Sequence, residues 1–365
     1  MQTKVSNKSK ELSLILETHF SGKINRARIK FMALMILSLC KVQTVNFERL
    51  AQGFESSVST GSSLRRIQRF MADYMLDKDL ICRMIYSLLP HKPPYRLIID
   101  RTNWKFGQIN INILVLSIAY KGISFPLVYR MMPKRGASSI NERIEIMEHY
   151  IRLFGKDSIK DLLADREFIG EKWFGWLNIN AIRYHIRILS NYQVMHALKG
   201  KYMNISRLFE SLKIGQCKFL AHPYYVTGRI CFLSACCFVN DKGRRDLVII
   251  ASFDKTRASV KAYKERWQIE SLFRALKTSG FNIEKTHLRD MERFEKMLSM
   301  VFIAFLWAYL TGMYIHRKIK KIRILKHGRL AKSFFKYGLD YIFEYLYKAY
   351  YKQNIDPCKF LSCTE

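Results

Sequence analysis

With 365 residues and 49% hydrophobic side chains, the chain can bury a sizeable core in two or three domains and is too apolar to be disordered. Its 62 Lys and Arg against 30 Asp and Glu leave a net charge of +32, which points to a polyanionic partner, either nucleic acid or an anionic membrane surface. Eight cysteines are too few for a disulfide scaffold and Met1–Glu11 is too polar for a secretory signal, so a reducing, intracellular setting is expected.

In chain order, residues 12–40 read as helices, with Phe31–Cys40 strongly apolar. Asn46–Phe54 is a short amphipathic segment, Glu55–Ser63 a polar turn, and Leu64–Met71 a basic helix with an apolar back. Together they suggest a helix-turn-helix, with Arg65, Arg66 and Arg69 facing DNA; two ordinary bundle helices would give the same pattern. Leu76–Leu89 is a further helix. His91-Lys92-Pro93-Pro94 then breaks the pattern and marks a domain boundary, leaving residues 1–92 as an all-α N-terminal domain.

From Tyr95 the period changes. Arg96–Asp100 is a buried strand ending in an acid; Ile109–Tyr120 and Phe125–Met131 complete an antiparallel meander. Asn141–Phe154 is helical. Asp161–Asp165 is a second strand ending in an acid, Gly170–Leu177 a short helix, and Ala181–Leu189 a strand. Residues 190–246 carry short alternating segments between Gly, Asn and His-Pro turns and read as a β-rich insertion. Leu247–Phe253 returns to a strand, so the core takes residues 93–189 and 247–340, with a helical tail at 341–365. Helices fill the C-terminal part, including Arg317–Lys332, which has eight basic residues and no acid. Met297–Ile315 has the length of a membrane span, but its Ser, Tyr, Thr and Gly residues favour a buried core helix. Cys231/Cys236 and Cys358/Cys363 have a spacing that zinc could use; buried, reduced cysteines account for them better.

Asp100 and Asp165 share one setting: three apolar residues, Asp, then Arg. Two carboxylates at neighbouring strand ends repel unless a cation lies between them, and hard oxygen ligands suit Mg²⁺ or Mn²⁺. Two such ions can clamp both oxygens of a phosphodiester displacement. Each Asp alone is also ordinary turn chemistry. A third carboxylate could come from Glu270, Asp254 or Glu167. Tyr263–Lys277 reads as one helix, and at about 100° per residue Tyr263, Arg266, Glu270 and Lys277 share one edge. That favours Glu270, with the cations on the same edge facing phosphates.

Strand-Asp100, strand-Asp165-Arg166-Glu167 and Tyr263-x2-Arg266-x3-Glu270-x6-Lys277 resemble the signature of the insertion-sequence-four family of bacterial DDE transposases, which includes Tn-five and Tn-ten. The resemblance covers roughly residues 95–340. It implies a ribonuclease-H-like α/β catalytic core with the β-rich insertion between Asp165 and Glu270, and the N-terminal helices as the DNA end-recognition domain. It implies Asp100, Asp165 and Glu270 as metal-binding and catalytic residues, with two Mg²⁺ or Mn²⁺ ions. Tyr263, Arg266, Lys277 and Arg166 would contact DNA, and Trp267 would stack near a flipped base. Relatives carry a tryptophan inside the insertion; residues 183–262 here have none, which puts a hairpin-forming mechanism in doubt. The expected activity is cleavage at terminal inverted repeats and joining of the 3′-hydroxyls to target DNA. A homodimer would do this on double-stranded DNA in the cytoplasm, associated with the nucleoid and without a membrane. Rivals are another nuclease or recombinase on this fold, a DNA-binding protein that has lost catalysis, and a membrane protein resting on Met297–Ile315 alone.

Overall fold

The computed structural model describes residues 5–55, 58–326, 328–347 and 355–362. The chain opens with α1 (Val5–Phe20), α2 (Arg26–Val42), α3 (Phe47–Gly53), α4 (Thr60–Asp73) and α5 (Lys78–Ser87). Asn25, Asn46, Ser59 and Asp77 start α2 to α5, each side chain accepting a hydrogen bond from a first-turn N–H that the helix leaves unpaired.

Strands follow: β1 (Tyr95–Phe106), β2 (Ile109–Tyr120) and β3 (Ile123–Met131). Pro126 sits in β3 at one end of the strand order, where a missing N–H is tolerated. Next come α6 (Ile140–Phe154), β4 (Ile159–Ala164), α7 (Glu171–Ile179) and β5 (Tyr184–Ile188). β4 runs parallel to β1 and to β5, a pairing that needs the crossover helices between them. The segment after β5 supplies β6 (Gln193–His196), β7 (Tyr202–Asn204), β8 (Cys217–Phe219), β9 (Tyr224–Val226), β10 (Arg229–Val239) and β11 (Arg245–Ser252). The strand order is β3-β2-β1-β4-β5-β11-β10-β9-β6-β7, with β8 on β10. The β-rich segment therefore extends the same mixed sheet, β11 pairing antiparallel with β5.

The remaining helices are α8 (Ser259–Lys264), α9 (Gln268–Lys277), α10 (Met291–Lys318) and α11 (Phe334–Tyr347). The chain divides into two compact units. One holds Lys92–Asn103 and Asn112–Leu272; the other holds Met1–His91, Trp104–Ile111 and Phe273–Glu365. In the first, Leu97, Ile98 and Ile99 of β1, Leu162, Leu163 and Ala164 of β4 and Ile186 of β5 are fully buried. In the second, α10 packs against α2, α5 and α11. Its most apolar 18-residue window is 94% buried, so its hydrophobicity serves a protein core, as the interrupting polar residues suggested.

Four local readings change. The 263–277 stretch is two helices separated by a 3-10 turn at Glu265–Trp267. There Glu265 pairs with Arg96 and Arg266 with Asp100, so tertiary ion pairs override a helix that propensity alone would have continued. Residues 319–326 and 328–333 are not helical; an isolated antiparallel bridge joins Ile324 to Leu330. Lys320, Arg323, Lys326, Arg329 and Lys332 recur every third residue, which would line like charges along one face of a helix there. Cys217 and Cys236 form a disulfide between β8 and β10, which removes Cys236 from any zinc pair; Cys363 lies outside the described residues. The expected tail at 341–365 starts inside a helix, since α11 begins at Phe334, and a 3-10 turn covers Pro357–Leu361.

The α10–α11 crossing depends on two glycines. A Cβ on Gly338 would lie 1.8 Å from the Ala308 carbonyl oxygen, and one on Gly312 would lie 1.9 Å from that of Phe334. Neither obstacle is a side chain that can swing away. Gly338→Ala is therefore expected to cost about 3 kcal/mol, read as a lowered urea midpoint, despite alanine's better helix propensity. An unchanged midpoint would mean the backbones are not in contact.

Candidate active site

β1 and β4 lie side by side with Ile99 level with Ala164, so Asp100 and Asp165 come next at the same height; β1 runs on through Asp100 to Phe106, so only Asp165 follows the end of its strand and the expected strand end at Asp100 is a mid-strand position. The buried apolar runs before them fix both strands and bring the two carboxylates into one electrostatic field. Burial pushes the Asp100 carboxyl up to about 7, Asp165 and Glu167 add to the rise, and Arg266 and the Arg101 N–H oppose it. Each aspartate also accepts a backbone hydrogen bond just downstream: Arg101 N–H to Asp100 Oδ1 at 2.8 Å and Glu167 N–H to Asp165 Oδ1 at 2.8 Å.

Glu270 enters from the first turn of α9. Arg266 joins it to the pair, with Nη1 at 3.0 Å from Asp100 Oδ2 and Nη2 at 2.7 Å from Glu270 Oε1. The guanidinium thus sits between two carboxylates, supplying the cation that such a cluster requires. Tyr263 lies beside it, with the Arg266 guanidinium carbon 5.8 Å from the ring centroid; burial pushes the phenol pKa up, and Arg266 opposes that shift. Trp267, by contrast, is 61% exposed.

The other carboxylates considered lie elsewhere. β11 runs antiparallel to β5, with Ser252 level with His185, which is itself level with Leu163. Asp254 therefore falls near the start of β4, on the order of 13 Å of strand rise from Asp165, where it pairs with Arg183 at 2.7 Å. Glu167 is close to the aspartates, but both its oxygens accept from Arg101 Nε at 2.7 Å. That pair escaped sequence reading, since its members are 66 residues apart. The one hint was the recurrence of Asp-Arg after each apolar run.

Arg166 is exposed. Lys277 belongs to the other unit, where it pairs with Glu284 at 2.8 Å and lies 5.1 Å over the Trp104 ring. In the same unit Arg65 and Arg69 line an open groove with Asn46, Gln68, His287 and Arg293. Arg66 is half-buried, with its guanidinium 5.5 Å over the Phe31 ring.

Asp100 within β1, Asp165 just after β4 and Glu270 on α9 offer carboxylates, hard oxygens suited to Mg²⁺ or Mn²⁺. The guanidinium bridging two of them shows that a cation is accommodated there. A family model described as the transposase DDE domain matches residues 91–307, a span that includes Asp100, Asp165, Tyr263, Arg266, Trp267, Glu270 and Lys277. Comparison with curated proteins finds no match.

Proposed function

This chain belongs to the transposase DDE-domain family, and we propose that it is a cut-and-paste transposase of the insertion-sequence-four type. The family implies DNA as partner and a divalent metal ion as cofactor. The observation that carries the finer reading is the side-by-side placing of Asp100 and Asp165 by β1 and β4, with Arg266 bridging Asp100 and Glu270. In this reading those three carboxylates hold two Mg²⁺ or Mn²⁺ ions, which when bound stabilise charge on the phosphodiester. The protein's own part is to hold the carboxylates in register and orient the DNA strand.

Strand order β3-β2-β1-β4-β5, with the acids on β1 and β4, supports a ribonuclease-H-like core over 93–189 and 247–340, with 190–246 as the insertion. The helices of residues 1–92 would recognise the terminal inverted repeats through α4, with Arg65 and Arg69 as contacts, and 341–365 would form the tail. Tyr263, Arg266, Trp267, Lys277 and Arg166 would line the DNA path. A homodimer would hold both ends, cleave them, and join the 3′-hydroxyls to target DNA in the cytoplasm. The test is incubation of the purified chain with a plasmid carrying its flanking repeats. Metal-dependent excision and end joining are expected. Tight binding of the repeats without cleavage in any divalent ion would favour a DNA-binding protein that has lost catalysis.

The ion pairs of Arg266 give a signed prediction. Removing a cation that competes for the same oxygens should tighten Mn²⁺ binding to the DNA-free protein by about tenfold, even as Arg266→Ala lowers cleavage. Arg266→Lys should restore cleavage poorly, because one ammonium cannot reproduce the two-nitrogen bridge. Unchanged or weaker Mn²⁺ binding in Arg266→Ala would show that the guanidinium and the metal do not share a site.

A further inference from the structure

We infer that Arg101 and Glu167 form a positioning pair that sets the spacing of the Asp100 and Asp165 carboxylates, an inference that rests on reading those aspartates as metal ligands. Arg101 follows one aspartate directly, and Glu167 lies two residues after the other. Their backbone N–H groups are the donors that orient the two carboxylates, to Asp100 Oδ1 and Asp165 Oδ1 respectively, each at 2.8 Å. Their side chains are joined, Arg101 Nε reaching both Glu167 oxygens at 2.7 Å. One ion pair therefore links β1 to the turn after β4, the two backbone segments whose amides hold the ligands.

The Glu167 side of this link is braced again. Ser138 N–H lies 3.4 Å from Glu167 Oε1. Arg143, only 6% exposed, donates through Nη2 to the Glu167 carbonyl oxygen at 3.0 Å and to that of Ser138 at 2.9 Å. Its Nε donates to Ser138 Oγ at 2.9 Å, and its guanidinium lies 4.9 Å over the Phe168 ring. A buried guanidinium committed to backbone carbonyls holds the turn after β4 in one shape. Glu167 in turn passes that restraint to β1 at Arg101. Side chains that orient ligands without touching the metal govern affinity as strongly as many ligands do.

Charge alone predicts the opposite outcome from positioning, which makes the pair testable. Deleting Arg101 removes a cation near the aspartates and leaves Glu167 unpaired, and both changes favour a divalent cation electrostatically. If Arg101 acts by position, Arg101→Ala should instead bind Mn²⁺ about 10- to 100-fold more weakly. Binding would be read on the full-length, DNA-free protein from loss of the free-Mn²⁺ electron paramagnetic resonance signal, with thermal unfolding followed in parallel. Arg101→Lys keeps the charge but cannot span both oxygens from one rigid group, and a smaller loss is expected; this variant carries the test if Arg101→Ala does not fold. The charge exchange Arg101→Glu with Glu167→Arg should recover part of the affinity lost in Glu167→Gln. Native-like unfolding with unchanged or tighter Mn²⁺ binding in Arg101→Ala or Arg101→Lys overturns the inference. A charge exchange no better than Glu167→Gln also overturns it, marking Glu167 as a ligand itself. Asp100→Ala separates the two levels: if it binds Mn²⁺ like the parent, the metal-site reading fails and the inference falls with it. If it loses binding while the Arg101 variants do not, the positioning pair alone is wrong.

Discussion

Alanine at Asp100, Asp165 or Glu270 is expected to lower metal-dependent strand cleavage by about 1000-fold or more, equivalent to roughly 4 kcal/mol of transition-state stabilisation, while binding of terminal-repeat DNA changes by only about threefold. Each carboxylate is expected to hold metal at the reacting phosphate, and a two-ion displacement tolerates no missing ligand. DNA affinity comes mainly from cations elsewhere, and removing an acid from a chain of net charge +32 can only favour a polyanion. Asp254→Ala should retain cleavage, because Asp254 lies near the other end of β4 in a pair with Arg183. An active Glu270→Ala enzyme beside an inactive Asp254→Ala one would overturn the choice of third ligand.

Folding should survive the Asp100 substitution, and the pH dependence has a definite sign. Burial raises the pKa of Asp100 in the folded protein to about 7, well above the usual carboxylate range. Its contribution to stability is thus present below about pH 4 and lost as pH rises through 7. Above pH 7 the ionised group opposes folding of the metal-free protein, so Asp100→Ala should melt no lower than the parent at pH 8. A large drop in Tm there would mean that the Arg266 pair outweighs the burial.

Affinity for DNA should fall steeply with salt. If the protein neutralises six to ten phosphates, raising monovalent salt from about 50 to 200 mM should weaken binding about 10³- to 10⁵-fold. Arg317, Lys318, Lys320, Lys321 and Arg323 are all exposed where α10 ends, as are Arg65 and Arg69 on α4. Replacing Lys320, Lys321 and Arg323 by glutamine should lower the slope of log K against log salt by about one per residue. The loss should be similar on specific and unrelated duplexes, because these side chains would meet phosphates rather than base edges. A slope near zero in the parent protein would refute phosphate tracking.

The apolar runs leading to Asp100 and Asp165 and the acid on the later helix were legible in the sequence, because strand burial and helix period depend on side chains near one another in the chain; the continuation of β1 past Asp100 to Phe106 was not. The core character of Met297–Ile315 was also legible, from polar residues that lipid would not accept. Sequence alone left Asp254, Glu167 and Glu270 as rival third carboxylates. Strand register decided their places, setting Asp254 near the start of β4 and turning Glu167 toward Arg101. The sequence also read an unbroken helix through Arg266, where the structure has a 3-10 turn that brings the guanidinium between Asp100 and Glu270. In each case the deciding interaction joins residues distant in sequence. Local periodicity carries no information about which charge a side chain will meet once the strands are in register.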